Sequence, residues 1–172
     1  DGCAAPCFMD IRAGETDSVS ATRIINSHEW AKSPPFFVRP IDDINTRYVY
    51  WQWSGQQPSG VDSQRPGKMR VYRDHIVGMT VRTRIPLGAM WLVLGETDQG
   101  TLSLPETRSD TEMMLIVVFP AQSLLVRVVV PKHVSQAVLW SSIAEIESAN
   151  PEAMAYFGGY RLPSLARLHG VG

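Results

Sequence analysis

The chain has 172 residues, which fits a single domain, and 44% of them are hydrophobic, so a sizeable core is expected and disorder is not. The net charge of −1 and the charged fraction of 19% argue against nucleic-acid binding, which needs a clustered Lys/Arg excess, and against electrostatic attachment to anionic lipid. The longest apolar run, MMLIVVFP, has the length of a strand and falls far short of the roughly 18 residues that a membrane-spanning helix needs.

Both cysteines, Cys3 and Cys7, lie in the opening stretch, DGCAAPC. This stretch has neither an initiating Met nor a leader, which predicts a chain trimmed during export. Two thiols at this spacing can close a small disulfide loop, and that would indicate an extracytoplasmic compartment: the periplasm, the cell surface or the medium. The alternatives are free thiols, a zinc ion shared with His28, or a lipid anchor, either on Cys3 or upstream of this chain.

The next segment predicts a turn followed by a helix. Gly14 allows the backbone to turn sharply, and Thr16 or Asp17 can cap a helix that ends before Pro34. Apolar residues at helical spacing support that helix. Residues 31–47 are then predicted to be connecting chain.

The stretch YVYWQWS, residues 48–54, predicts a strand because β-branched and aromatic residues dominate it. Successive side chains of a strand point to opposite faces. One face is predicted to be core and carries Val49, Trp51 and Trp53. The other face carries Tyr48, Tyr50 and Gln52. Tyrosines on an exposed sheet face make effective binding surface, because they offer a large contact area with few rotatable bonds.

Two further strands, MRVYRD and IVGMTVRTR, follow a loop rich in Gly, Pro and Ser. The second strand is predicted to point three side chains inward, Val77, Met79 and Val81. It points three outward, Thr80, Arg82 and Arg84. The outward arginines extend the tyrosine face, so the sequence predicts a polar and aromatic binding surface formed by Tyr48, Tyr50, Gln52, Arg82 and Arg84.

In the second half of the chain Gly88 is predicted to be a turn residue that leads into a short helix, Gly95 is predicted to end that helix, and a polar loop covers residues 96–111. Residues 112–131, EMMLIVVFPAQSLLVRVVVP, predict a hairpin of two apolar strands that are central in a sheet or covered on both faces. Residues 131–172 are predicted to be a C-terminal helical segment, because apolar residues recur there at helical spacing.

The order of elements repeats along the chain. Residues 11–84 and residues 85–130 each contain I-x-x-G, a helix, a loop and antiparallel strands. The sequence therefore predicts one α+β domain, residues 1–172, in which two helix–antiparallel-hairpin units form a sheet and C-terminal helices follow.

The residues of this repeat carry a resemblance to known families. Cys7, Ile11, Gly14, Thr16 and Ala21 resemble the opening of a group of uncharacterised bacterial envelope proteins. The helix–hairpin unit resembles the outer-membrane assembly lipoproteins of the BamE/SmpA family, and two units in tandem resemble β-lactamase-inhibitory proteins. The resemblance implies an α+β binding or assembly module and implies no active site.

In the second unit the corresponding positions are Leu87, Gly88, Leu94 and Gly95. Families of this type usually carry a second Gly-x-Thr, and this chain has Gly88-Ala89-Met90 instead. The resemblance is therefore weaker in the second unit than in the first.

The sequence contains no recognisable catalytic or cofactor motif. It has no G-x-S-x-G, no phosphate-binding loop and no G-x-G-x-x-G after a strand. The four histidines are scattered, and none has the partner four residues away that a helical metal site uses. Asp74 and His75 are adjacent in a predicted strand, so their side chains point to opposite faces. We therefore predict no catalytic residues, no metal and no cofactor.

Three functional hypotheses follow from these patterns. The first is a non-catalytic, extracytoplasmic module that binds a protein partner or assists envelope assembly. The second is a small-molecule or lipid carrier that uses the apolar space between the sheet and the C-terminal helices. The third is an unrecognised hydrolase. A deep apolar cavity favours the carrier, an exposed aromatic sheet favours the protein binder, and a buried His–carboxylate pair in a cleft favours the enzyme.

Overall fold

One antiparallel sheet of eight strands runs through the described part of the chain, and a two-stranded ribbon precedes it. Within the described residues, three α-helices and one 3₁₀ turn connect the strands. The computed structural model describes residues 7–38, 45–95, 97, 99–103, 111–133 and 135–150.

Apolar side chains at every second position bury one face of most strands, as the period of a strand requires. The ribbon consists of β1 (Cys7–Phe8) and β2 (Ile11–Arg12). The strands of the sheet are β3 (Ala31–Val38), β4 (Thr46–Trp53), β5 (Gly67–Tyr72), β6 (His75–Pro86), β7 (Gly100–Ser103), β8 (Glu112–Phe119), β9 (Leu124–Pro131) and β10 (Ile143–Ala149).

The helices are short and begin or end at residues suited to that place. The first helix, α1 (Ser18–Ser27), begins at Asp17, whose carboxylate accepts hydrogen bonds from two first-turn N–H groups. The second, α2 (Leu87–Leu94), ends at Gly95, which has a φ of +89°. The third, α3 (Gln136–Ser141), packs beside α2. Within the described ranges, no helix has the length and apolar character needed to cross a membrane.

The strand order in the sheet is β3-β4-β5-β6-β10-β9-β8-β7. The first half of the protein consists of α1 followed by β3 to β6, and the second half consists of α2 followed by β7 to β10, with α3 before β10. The halves run in opposite order across the sheet and meet where β6 pairs with β10. The repeat of residues 11–84 and 85–130 stays a prediction, and its second unit stops before β10, the fourth strand of the second half.

The first half buries its apolar side chains on the face of the sheet that the helices cover, which we call the helical face. Ile25 of α1 packs there in one cluster with Trp51, Met69 and Ile76. Gly67 makes room for the Trp51 ring, because a Cβ at this position would lie 2.1 Å from a ring carbon. The cluster therefore depends on a large side chain and on a glycine opposite to it.

The second half buries apolar side chains on both faces. On the helical face, β8 packs through alternate residues in one cluster with α2 and α3: Leu115, Val117 and Phe119. On the opposite face a smaller cluster is buried: Ile116, Val118, Leu125 and Ala149. The predicted hairpin of residues 112–131 is confirmed, with the 3₁₀ turn Pro120–Gln122 between its strands. Its strands are apolar at nearly every residue because both faces are covered.

The predicted fold class, α+β with two helix–hairpin units and C-terminal helices, is wrong. The described chain is mostly β-sheet, and α1 and α2 are each followed by four strands rather than by a hairpin, with α3 inserted before the last strand. Residues 143–149, predicted to be helical, form β10 between β6 and β9. The apolar spacing there predicted a helix, but Ile146 pairs with Val81 and Val126, and Glu147 forms ion pairs with arginines of other strands. Residues 151–172 of the predicted helical segment lie outside the described residues.

Two strands occupy segments that were predicted to be connections. β3 contains Pro34 and Pro35, yet it forms an edge of the sheet, where a residue without an N–H interrupts little pairing. The register between β3 and β4 shifts between Lys32 and Phe36, the interval that holds both prolines. β7 lies at the other edge, within the predicted loop of residues 96–111.

The hairpin of β5 and β6 departs from simple alternation at its turn. The turn residue Asp74 has a φ of +67°. Beyond it the register shifts, so that Ile76 pairs with Val71 and is fully buried, in the place predicted for Val77. Met79 and Val81 are buried as predicted. Thr80 lies on the opposite face, as predicted, but it is buried there rather than exposed.

Candidate functional site

An apolar groove lies over the middle of the sheet on its helical face. The buried cluster of the first half includes Met79 and Val81, and the separate cluster of the second half includes Leu124 and Ile146 at its margin. The groove lies between these two clusters, above the strands at which the halves meet. We call it the central groove. Its floor is formed by Met79, Val81, Thr83 and Ile85 of β6 and by Ile146 and Ser148 of β10.

The walls of the central groove come from segments outside β6 and β10. Phe8 of the ribbon and the loop 58–61 form one wall. Leu124 and the 3₁₀ turn before it form the other. The loop is held beside β6 by an isolated antiparallel bridge between Val61 and Thr83. Both halves of the protein therefore contribute to the groove.

The central groove has a volume of about 310 Å³. This lies at the lower end of the range of roughly 300–1,000 Å³ for pockets that hold small molecules. It is about twice the roughly 150 Å³ of an apolar cavity that holds one benzene molecule. No Asp, Glu, Lys, Arg or His occurs among its described lining residues. The groove therefore fits an apolar body of about a dozen carbon atoms.

Three hydrogen-bonding side chains occur among the described lining residues, and they differ in their partners. Thr83 Oγ1 donates to the carbonyl of Ala144 at 2.8 Å and accepts a further bond from the backbone. Gln122 Nε2 donates to the carbonyl of Leu94 at 3.3 Å. Ser148 is 7% exposed, and its Oγ is buried without a hydrogen-bond partner among the described residues. The Ser148 hydroxyl is therefore a buried polar group at the groove whose hydrogen-bonding capacity is unused.

The residues predicted to form a binding surface lie on the opposite face of the sheet. Tyr48 and Tyr50 are half-buried and Gln52 is exposed, whereas the alternate residues of β4 are buried on the helical face, as predicted. Tyr50 stacks on Phe36 of β3, with ring centroids 5.2 Å apart. Lys68 Nζ lies 5.6 Å from the centroid of the Tyr48 ring. These rings form an aromatic patch on β3 and β4.

The structure does not bring the two predicted arginines next to the tyrosines. β5 separates β4 from β6, so that Arg70 and its neighbours lie between them. Arg82 Nε is 3.9 Å from Asp62 Oδ2, and Arg84 Nη2 is 3.5 Å from Ser63 Oγ. The predicted surface therefore consists of two patches, one aromatic and one polar.

The opposite face also holds a buried carboxylate that the sequence analysis did not single out. Glu147 of β10 is 3% exposed and forms an ion pair with Arg127 of β9. Its second partner is Arg70 Nη2, at 3.6 Å. A Cβ at Gly78 would lie 2.5 Å from Glu147 Oε1, so the glycine leaves space for the carboxylate. The ion pairs connect the first half, which contains Arg70, with the second.

The predicted turn residues of the first half hold the start of α1. Gly14 has a φ of +89°, and its N–H donates to the carbonyl of Ile76 at 2.6 Å. Thr16 Oγ1 accepts a hydrogen bond from the backbone at 2.9 Å, and Asp17 is the N-cap. The backbone N–H of Ser20, followed by its side chain, lowers the pKa of the Asp17 carboxyl below its ordinary value.

The predicted turn residues of the second half lie at and within α2. A Cβ at Gly88 would lie 3.2 Å from the backbone oxygen of Trp140, so the glycine permits a close approach of α2 and α3. Gly95 ends α2 with its N–H donating to the carbonyl of Trp91. Neither glycine lines the central groove. Their role in the structure is to shape the helix.

The potentially reactive groups that the sequence contains are the two cysteines, the possible metal ligands and the adjacent pair Asp74 and His75. Cys7 is disulfide-bonded, but Cys3 lies outside the described residues, so their pairing stays a prediction. Across the described ranges, no three His, Cys, Asp or Glu side chains are grouped so that they could hold a metal ion. Asp74 forms an ion pair with Arg47 at 2.8 Å, and the neighbouring His75 is exposed.

Comparison with known proteins provides no family and no relative: no family model, curated protein or solved structure matches this chain. The resemblance to envelope families therefore stays an expectation. The function has to be inferred from the geometry of the groove and of the opposite face.

Proposed function

We propose that the protein binds an apolar small molecule in the central groove and acts as its carrier. The observation that carries this proposal is a volume of about 310 Å³ lined by apolar side chains, without a charged side chain among the described ones. An apolar ligand that fills the groove removes its own surface and that of the lining from water, which is favourable by roughly 25 cal/mol per Å².

Binding accounts for this lining better than catalysis does. A nucleophilic serine needs a base within hydrogen-bond reach, and neither histidine nor carboxylate occurs beside Ser148 in the described lining. Two of the polar side chains, Thr83 and Gln122, already bond to backbone carbonyls. The groove therefore offers a shape and one hydroxyl rather than a set of reacting groups.

The proposal is tested by titrating the protein with the neutral apolar fluorophore N-phenyl-1-naphthylamine, whose naphthyl ring system of ten carbons is within the size that the groove accepts. The wild-type protein should bind it at one site and raise its fluorescence. Leu124→Trp should abolish this site, because Leu124 forms a wall and an indole there would extend into the groove. We expect a loss of at least tenfold in affinity.

The matched control is Val129→Trp. Val129 lies on the same strand, β9, but it is half exposed and lies on the opposite face. This variant should bind the fluorophore as the wild-type protein does. Absence of binding to the wild-type protein, or equal binding by Leu124→Trp, would overturn the proposal, provided that circular dichroism shows the variants to be folded.

A second candidate function, binding of a protein partner, is favoured by the aromatic patch on the opposite face. Phe36 of the edge strand β3 is 46% exposed, and its ring stacks on Tyr50. Exposed aromatic side chains of this kind are enriched in protein interfaces. We also propose an extracytoplasmic location for either function, because Cys7 is disulfide-bonded and disulfides persist in oxidising compartments.

A further inference from the structure

The unpartnered hydroxyl in the central groove restricts the class of ligand. We propose that the groove binds a neutral lipophile that carries a hydroxyl or carbonyl group, and that this group hydrogen-bonds to Ser148 Oγ. This inference rests on the proposed function, because it names the ligand class of the same groove.

The position of Ser148 supports a role toward a ligand. Its Cα partners on the neighbouring strands are Met79 and Leu124, whose side chains also line the groove and offer no strong hydrogen-bonding group. Its Oγ is buried and has no partner among the described residues. A buried hydroxyl without a partner is destabilising, and an alanine at this position of β10 would avoid that penalty. A polar atom of a ligand above the floor would supply the missing partner.

Water alone accounts for this hydroxyl poorly. A buried water is held by about three hydrogen bonds to protein groups. The other polar side chains of the described lining, Thr83 and Gln122, already bond to the carbonyls of Ala144 and Leu94. A water beside Ser148 would lie between its apolar cross-strand neighbours, Met79 and Leu124, which offer it no further hydrogen bond.

The ligand group is neutral because the groove offers no opposite charge. A carboxylate or an ammonium group is strongly disfavoured in an apolar site unless a partner of opposite charge is present. The described lining contains no charged side chain. Glu147 and its arginine partners, next to Ser148 in sequence, lie on the opposite face of the sheet. Alcohols, ketones and esters of about a dozen carbon atoms fit these conditions, and ionised fatty acids do not.

The experiment compares two ligands of nearly equal shape, 2-naphthol and 2-methylnaphthalene. One presents a hydroxyl where the other presents a methyl group. Their affinities are measured by displacement of N-phenyl-1-naphthylamine from the wild-type protein and from Ser148→Ala. We expect Ser148→Ala to reduce the ratio of the 2-naphthol affinity to the 2-methylnaphthalene affinity about three- to tenfold, the range of one net hydrogen bond. The affinity for 2-methylnaphthalene should stay the same or rise.

Two controls separate this inference from the proposed function. Ser142→Ala removes a hydroxyl that bonds to the carbonyl of Val138, outside the groove, and should leave the ratio unchanged. The anion 2-naphthoate should bind at least tenfold more weakly than 2-naphthol. If both neutral ligands displace the fluorophore but Ser148→Ala leaves their ratio unchanged, or if 2-naphthoate binds as well as 2-naphthol, this inference is wrong and the proposed function stands. If the wild-type protein binds no fluorophore, both fail.

Discussion

Each half of the sheet consists of a helix followed by four strands, with α3 added in the second half, but different residues hold the two leading helices in place. In the first half, α1 is capped by its neighbour in sequence, Asp17. In the second half, α2 begins after Pro86 without a side-chain cap, and the N–H of Leu87 donates to the carbonyl of Ser142, which follows α3. The start of one helix is thus set locally and that of the other by a distant segment.

The cores of the halves differ in the same way. In the first half a few large rings dominate, with Trp51 and Trp53 packed edge to face at 5.5 Å. In the second half the sheet contributes mainly aliphatic side chains besides Phe119, and the rings of Trp91 and Trp140 lie on the helices. The same arrangement of strands therefore needs a pattern of burial and not a particular set of side chains.

The largest loss of stability is expected from Trp51→Ala, because this substitution removes the largest fully buried side chain of the cluster in the first half. Trp51 is fully buried and packed against Gly67, so we expect a loss of about 4–5 kcal/mol in the free energy of unfolding. Urea unfolding followed by circular dichroism measures it. If the halves unfold as one unit, the second half should lose its structure at the same urea concentration.

The contrasting variant is the double substitution Tyr48→Ser with Tyr50→Ser. Both side chains are half-buried on the opposite face, so the loss should be clearly smaller than for Trp51→Ala. This variant should still bind N-phenyl-1-naphthylamine in the central groove. If a protein partner binds on the aromatic patch, the double variant should no longer bind that partner. Destabilisation as severe as that of Trp51→Ala would show that the tyrosines are core and would remove the support for the patch as an interface.

The next largest loss of stability is expected when the ion pairs that join the two halves are broken. Glu147→Ala leaves Arg127, whose side chain is 15% exposed, without its shorter ion pair and removes the contact with Arg70. Breaking a buried pair from one side typically costs about 3–5 kcal/mol, and we expect about 3 because Glu145 remains 3.7 Å from Arg127. Urea unfolding measures the change in the free energy of unfolding.

Glu145→Ala is the matched control on the same strand. Glu145 contacts the same arginine, but its side chain is 36% exposed, and pairs of this kind contribute about 1 kcal/mol or less. Equal losses for Glu145→Ala and Glu147→Ala would contradict the view that burial makes the Glu147 pairs important. The comparison also measures how strongly the halves depend on each other.

The smallest change in stability is expected for a substitution of Asp17, the N-cap of α1, because this residue is fully exposed. Hydrogen bonds from Ser20 lower its pKa in the folded protein below the ordinary value of 3.8. The ionised carboxylate therefore stabilises the folded state above pH 3.8, and this contribution is lost as the pH falls through the lowered value. Asp17→Asn, which keeps an acceptor oxygen, should melt with a weaker dependence on pH between 5 and 2 than the wild-type protein. Identical profiles for the two proteins would contradict this assignment.

Local patterns in the sequence predict the first helix, the central strands and the hairpin, because each depends on neighbouring residues. The alternation around Trp51 predicts its burial, and Gly95 predicts the end of α2. The failure at β10 has a physical reason. Glu145 and Glu147 are helix-favouring residues, and their partners, Arg70 and Arg127, come from strands far away in sequence.

The central groove was beyond prediction from the sequence for the same reason. Its floor joins β6 and β10, which are distant in sequence, and Ser148 lay in a predicted helix. One pattern did point to a strand there. The glutamates at 145 and 147 alternate with Ala144, Ile146 and Ser148, which is the period of two that a strand shows. Strand β10 thus places charge on one face and the groove floor on the other.

The position of β10 also determines how this chain can fold during synthesis. β6 pairs with β5 through a short turn, but its other edge is covered by the last strand of the described chain. A ribosome-bound chain that ends before residue 143 therefore presents the twelve-residue β6 as an open edge. Open edges of this length template association with other chains, and pairing between distant strands is slow. Closure of the sheet waits for β10, so the interval before its emergence is the period in which a nascent chain is most exposed to aggregation.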